Sequence, residues 1–152
     1  MAGFALRFRR EQAFYTEAIR ISEQNVEVIE RVLAAANSGD FETILALHHP
    51  DWEGVIAQEY PVAGTWRGLE GLRGFVEEWL EAWDEFRVEP DEFIDGKDAV
   101  VVAVRYWGRG RGSGVEVTDR WFYAYKLRDG KIIGWRPWPN RSEALKAVGL
   151  EA

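Results

Sequence analysis

A chain of 152 residues without a single cysteine can bury a real core in one domain, and it has no means of forming disulfides, thiolate nucleophiles or cysteine-ligated metal sites. Its net charge of −7 comes from Asp and Glu scattered along the chain, which repel phosphate backbones, so nucleic acid is not the expected partner. No apolar run approaches the ~20 residues of a membrane span, and arginines interrupt the N-terminal stretch, so a cytoplasmic protein away from membranes is expected.

In chain order, residues 1–21 read as a leader or arm, with Arg7, Arg9 and Arg10 interleaved with Leu6 and Phe8, and residues 22–152 as the folded domain. A first helix is predicted from Ser22 as N-cap through Val26, Ile29, Leu33 and Ala36, which recur at helical spacing. Asn37-Ser38-Gly39 stops it. Asp40 then caps a short helix carrying Phe41, Ile44, Leu45 and Leu47, which ends at His48-His49-Pro50 because proline disfavours helical geometry in the residue before it. Two short extended pieces follow, Trp52 to Ala57 and Ala63 to Trp66, joined through Tyr60-Pro61. A third helix, about Leu69 to Trp83, lines up Leu72, Phe75, Val76, Trp79, Leu80 and Trp83 in one stripe.

After Asp84 the period changes. Phe86 to Ile94, Ala99 to Trp107, Val115 to Leu127 and Lys131 to Trp138 read as a four-strand antiparallel meander, and Ser142 to Val148 as a closing helical turn. Helices first and strands after predict an α+β domain whose helices cover one face of a sheet. Eight Trp, five Tyr and eight Phe are the anomaly, because tryptophan surpluses mark cavity walls and interfaces as well as cores.

Asn37-Ser38-Gly39-Asp40, the short helix ending in His49-Pro50-Asp51, and Gly64-Thr65-Trp66-Arg67-Gly68-Leu69-Glu70-Gly71 before the third helix resemble the SnoaL-like group of the nuclear-transport-factor-2 superfamily, over Asn25 to Leu150. The resemblance implies a cone-shaped roll: a curved antiparallel sheet covered on its concave face by about three helices. It also implies a pocket for a small molecule, no cofactor, and a homodimer through the outer sheet face, including Phe122. Asp129-Gly130-Lys131-Ile132-Ile133-Gly134-Trp135-Arg136 is similar to limonene epoxide hydrolase, but that family's catalytic Asp after the Trp-Arg pair becomes Pro137, and of its strand Arg-x-Asp only Arg105 is similar, offset by one. Aligned on ketosteroid isomerase, the base position holds Tyr60 and the two oxyanion-donor positions hold Val32 and Tyr123. Neither constellation is complete, and the fold hosts both enzymes and binding proteins.

Alternation on the long strand puts Val117, Asp119, Trp121, Tyr123 and Tyr125 on one face, which by the resemblance is the concave one. Asp119 is then expected towards an aromatic cavity, where desolvation would raise its pKa into acid–base range, or else paired with Arg105 on the neighbouring strand. Asp119, Tyr123 and His48 are the candidate catalytic residues. Trp52, Tyr60, Trp66, Trp83, Arg105, Trp107 and Trp121 are the candidate ligand contacts. The adjacent His48 and His49 lack a third ligand at helical or strand spacing, so no metal site is expected. Gly108-Arg109-Gly110-Arg111-Gly112 is a turn, lacking the helix and Lys-Ser/Thr of a phosphate cradle. Two readings stay open: an acid–base isomerase, cyclase or dehydratase of a mostly apolar cyclic substrate, and a non-catalytic ligand-binding or dimerisation module.

Overall fold

The computed structural model describes residues 2–57 and 60–150, with side chains described from residue 20 onward. Helix α1 spans Ala2–Ser38 and α2 spans Phe41–Ala46; strands β1 (His48–Ile56) and β2 (Gly64–Arg67) lead to α3 (Gly68–Ala82). Strands β3 (Trp83–Asp95), β4 (Ala99–Gly110), β5 (Glu116–Arg128) and β6 (Lys131–Trp138) follow, and α4 (Arg141–Ala147) closes the domain.

The strands form one sheet in the order β2-β1-β6-β5-β4-β3. Strands β3 to β6 form the expected meander, but β1 joins β6 in parallel, with Gly54 beside Trp135. The sheet is therefore antiparallel at every junction except this one, where the chain returns to the start of the domain. Helices α1, α2 and α3 cover the inner face, where Ile29, Val32, Leu72 and Trp79 pack with Val100, Val102 and Val104 of β4. Val101 points the other way, into a smaller cluster with Ala124 and with Ala144 and Leu145 of α4. Period-two alternation thus makes β4 apolar on both sides.

Short polar contacts set the joints. Gly39, with φ +71°, ends α1 in a conformation that side chains resist. Asp40 then accepts a hydrogen bond from the Thr43 amide at 3.2 Å as the N-cap of α2. Asn37 donates to the Val88 carbonyl at 2.7 Å and accepts from the Val88 amide at 2.8 Å, fastening the end of α1 to β3.

Two expectations change. The first helix does not start at Ser22: α1 is continuous from Ala2, because the earlier residues contain no proline and are rich in helix-forming Ala, Arg, Gln and Glu. Ser22 lies inside it and donates to Asp95 at 2.6 Å instead of capping. His48 and His49 do not end a helix either. Leu47 caps α2 and the chain is already extended at His48, two residues before Pro50.

Candidate functional site

Between the inner face of the sheet and α1, α2 and α3 lies a cavity of about 130 Å³. Among the described residues, its walls carry no Asp, Glu, Lys or Arg. Leu80 of α3, in this lining, is 45% exposed, and Phe41 of α2, also in the lining, has Arg73 5.1 Å over its ring. The aromatic walls come from β1 (Trp52), α3 (Phe75, Trp79), β5 (Tyr123, Tyr125) and β6 (Trp135).

The polar groups in this lining are few and neutral. Tyr60, from the segment between β1 and β2, is buried and stacks on Trp79 with ring centroids 5.5 Å apart. It also meets Trp121 and Trp135 edge-on, at 5.0 and 5.8 Å. Its hydroxyl is hydrogen-bonded to that of Tyr123. Burial, then the neighbouring Tyr123, pushes the Tyr60 phenol well above its ordinary range, and burial raises Tyr123 and Tyr125 as well. All three therefore stay protonated donors at neutral pH.

His48 is the remaining titratable group among the described lining residues. Its Nδ1 donates to the Ile44 carbonyl at 2.6 Å, which fixes the proton on Nδ1 and leaves the lone pair on Nε2. Burial lowers its pKa from 6.5 to about 4, the bond to Ile44 opposing, so the ring is neutral at physiological pH. Its ring packs edge-on against Trp52 at 5.6 Å. The indole N–H groups of Trp52 and Trp135 are buried and meet no acceptor among the described residues.

Of the residues singled out from sequence, His48, Trp52, Tyr60 and Tyr123 come together around this cavity. Trp121 and Trp83 are buried beside it: Trp121 against Tyr60, and Trp83 against Trp79, Tyr106 and Gly108. Trp66 is half-buried against Phe75, over Gly71 and Gly74 of α3. Trp107 and Arg105 alternate with inward-facing Tyr106 and so lie on the outer face. Arg105 is exposed and pairs with Asp91 at 2.9 Å, not with Asp119.

Asp119 is the main correction. It shares the inner side of β5 with Tyr123, yet its carboxylate is exposed. The carboxylate accepts from the Trp121 indole at 3.1 Å and from the Arg120 amide at 2.8 Å, and it is not in the cavity wall.

Trp135, Tyr125 and Phe86 were not among the expected contacts. Tyr125 was legible as the next inward residue after Tyr123. Trp135 was hidden because the β5–β6 register shifts between Lys126 and Leu127, and buried Ile132 and Trp135 lie three residues apart, not two. The positions that align with catalytic groups of ketosteroid isomerase, Val32, Tyr60 and Tyr123, all reach the cavity. Pro137 is fully buried and brings no ionisable group.

Solved structures share this architecture. TerC, crystallised with polyporic acid, is 28% identical, with a TM-score of 0.69 over 77% of this chain and 92% of its own. A nuclear-transport-factor-2-like protein from Burkholderia xenovorans is also 28% identical, with a TM-score of 0.67 over 77% of this chain and 89% of its own. A protein from a Jannaschia species, described as a candidate SnoaL-like polyketide cyclase, is 23% identical, with a TM-score of 0.69 over 78% of this chain and 86% of its own. No curated protein matches the chain significantly. The sequence profile of the SnoaL-like domain matches residues 29–135, which takes in α2, α3, most of the sheet and nearly every wall of the cavity, and the chain belongs to the SnoaL-like domain family.

Proposed function

We propose that this protein binds a small, flat, mostly apolar molecule in the cavity, with the linked hydroxyls of Tyr60 and Tyr123 directed to an oxygen of that ligand. The observation that carries the reading is an aromatic cavity of about 130 Å³ whose described walls hold no charged side chain, with a buried hydroxyl pair among its lining residues. An apolar protein cavity of about 150 Å³ holds one benzene, so a single ring fits the scale. In a hydroxyl pair one O–H is consumed by the partner and one is left to donate outward. The co-crystallisation of TerC, 28% identical, with polyporic acid supports a small-molecule ligand.

A second reading adds an acid–base step, as in an isomerase, cyclase or dehydratase. It is favoured by His48, which lines the same cavity as Tyr60 and Tyr123 and whose Nδ1 bond to Ile44 leaves the lone pair on Nε2. In that step the hydroxyls would stabilise a developing oxyanion and His48 would take the proton. Asp119 plays no part in it, since its carboxylate lies outside the wall. Dimerisation through the outer sheet face belongs to the same overall reading, with the ion pairs of Arg105, Asp91 and Arg120 on the surface a second copy would meet.

The test is a screen of one-ring carbonyl and phenol compounds for a rise in melting temperature, repeated with three variants. Val76→Trp, which fills the cavity, should abolish the rise. Tyr123→Phe should weaken binding about five- to tenfold through one lost hydrogen bond, and Asp119→Asn should leave it unchanged. A hit that binds Val76→Trp as well as wild type would refute the cavity as the site. Product formation from a hit, lost in His48→Gln but not in Asp119→Asn, would establish the catalytic reading.

A further inference from the structure

On the sheet side the cavity is lined by Trp52, Tyr123, Tyr125 and Trp135, all buried. Among the described lining residues, the exposed ones are Gly39, at the joint of α1 and α2, and Leu80 of α3. Phe41, two residues after Gly39, and Val76, one helical turn before Leu80, are half-buried. The packing of the helices accounts for this. Among the described residues α3 packs on β1, β2 and β3, and α1 packs on α2 and β3, but neither α1 nor α2 packs extensively against α3. A cleft therefore separates α3 from the α1–α2 joint, and the exposed lining residues belong to its two sides.

The Arg73 guanidinium of α3 spans that cleft, 5.1 Å over the Phe41 ring of α2 and within cation–π range. Arg73 is exposed, and Val76 and Leu80 follow it at helical spacing, so the three form one stripe along α3.

The two sides of the cleft are not equally fixed. The last carbonyls of a helix have no partners within it, and at the end of α3 they meet Arg111, from the turn between β4 and β5. Its side chain donates to the Leu80 carbonyl at 3.0 Å and to the Trp83 carbonyl at 3.3 Å, and its amide donates to the Ala82 carbonyl at 3.0 Å. Nearer the start of α3, Trp66 packs over Gly71 and Gly74. Helix α2, by contrast, has six residues and buries only Ile44 among its side chains. Segments with few buried apolar contacts open at the least cost, so α2 is the side that yields.

Resting on the small-molecule reading of the cavity, we propose that the cleft between α2 and α3 is the ligand's entrance and that Arg73, seated on Phe41, is its latch. An exposed cation–π contact is weak, and it slows passage about two- to fivefold without barring it. The latch closes in the same way over an empty and a filled cavity. Its loss therefore speeds entry and exit equally and leaves affinity alone.

Fluorobenzene, one ring carrying its own fluorine-19 reporter, tests this on the full chain, with titration giving Kd and NMR exchange giving the entry and exit rates. Arg73→Leu should raise both rates about two- to fivefold and keep Kd within about twofold. Arg73→Lys, which retains a cation, should change them less. In a Phe41→Leu background Arg73→Leu should have no further effect, because the ring it acts through is gone. Arg109→Leu, which removes an arginine paired with Glu85 at 3.2 Å, should alter neither rate. If Arg73→Leu leaves the rates as they are, moves only one of them so that Kd follows, acts as strongly without Phe41, or is matched by Arg109→Leu, the latch is overturned and the cavity reading stands. If fluorobenzene binds the wild type no better than the cavity-filled Val76→Trp, both fall together.

Discussion

Tyr60 and Tyr123 make a strong prediction because each is the other's hydrogen-bond partner in a buried, apolar setting. Changing either one to Phe strands the remaining hydroxyl and should cost about 1–3 kcal/mol in urea unfolding. The double change removes both hydroxyls, so its cost should be clearly smaller than the sum of the two single costs. His48 gives a pH dependence of definite sign. Its pKa is near 4 when folded and 6.5 when unfolded, so between those values the unfolded chain binds the extra proton. Stability should therefore be full above about pH 6.5 and fall as pH drops towards about 4, by up to about 3 kcal/mol, and His48→Phe should flatten that slope. The histidine was legible as a proton-transfer group. Its strand position was not, because Pro50 suggested a helix end where the chain had already turned extended at His48.

At the scale of elements, β1 positions one whole wall. The Trp52 ring lies across Gly54 so closely that a Cβ there would come within 2.7 Å of Cζ2 and Cη2. Gly54→Ala should thus displace Trp52 into the cavity, costing about 1–3 kcal/mol by overpacking and weakening any cavity ligand. A thermal melt together with a probe titration checks both parts. Alternation along β5 was readable from sequence and brought Trp121, Tyr123 and Tyr125 to the inner face as buried residues. The same rule misled at Asp119, because alternation assigns a side of the sheet and says nothing of whether a side chain on that side is covered. On β6, the register shift at Lys126/Leu127 broke the rule itself, and Trp135 escaped notice.

For the whole molecule, the ordering of helices before strands was enough to anticipate an α+β domain with helices over one sheet face, the curved roll came from the family resemblance, and the turn signals placed every strand of the meander to within a few residues. The parallel junction of β1 with β6 depends on where the chain closes on itself, which no local pattern records. Charge also sorts by face. Carboxylates and arginines form ion pairs on the outside, as between Arg105 and Asp91 or Arg141 and Glu92, while the described residues around the space under the helices bring only neutral polar groups. That separation is what a site for an uncharged ring requires, since an unpaired charge buried there would be costly. The most direct measurement is a high-resolution crystal structure of the protein purified straight from cells, with no ligand added. The account predicts ring-shaped density between Trp79, Tyr123 and His48, with one oxygen against the Tyr60–Tyr123 hydroxyls. A cavity closed by the protein's own side chains, or a ligand seated instead on the exposed surface around Asp119, would contradict it.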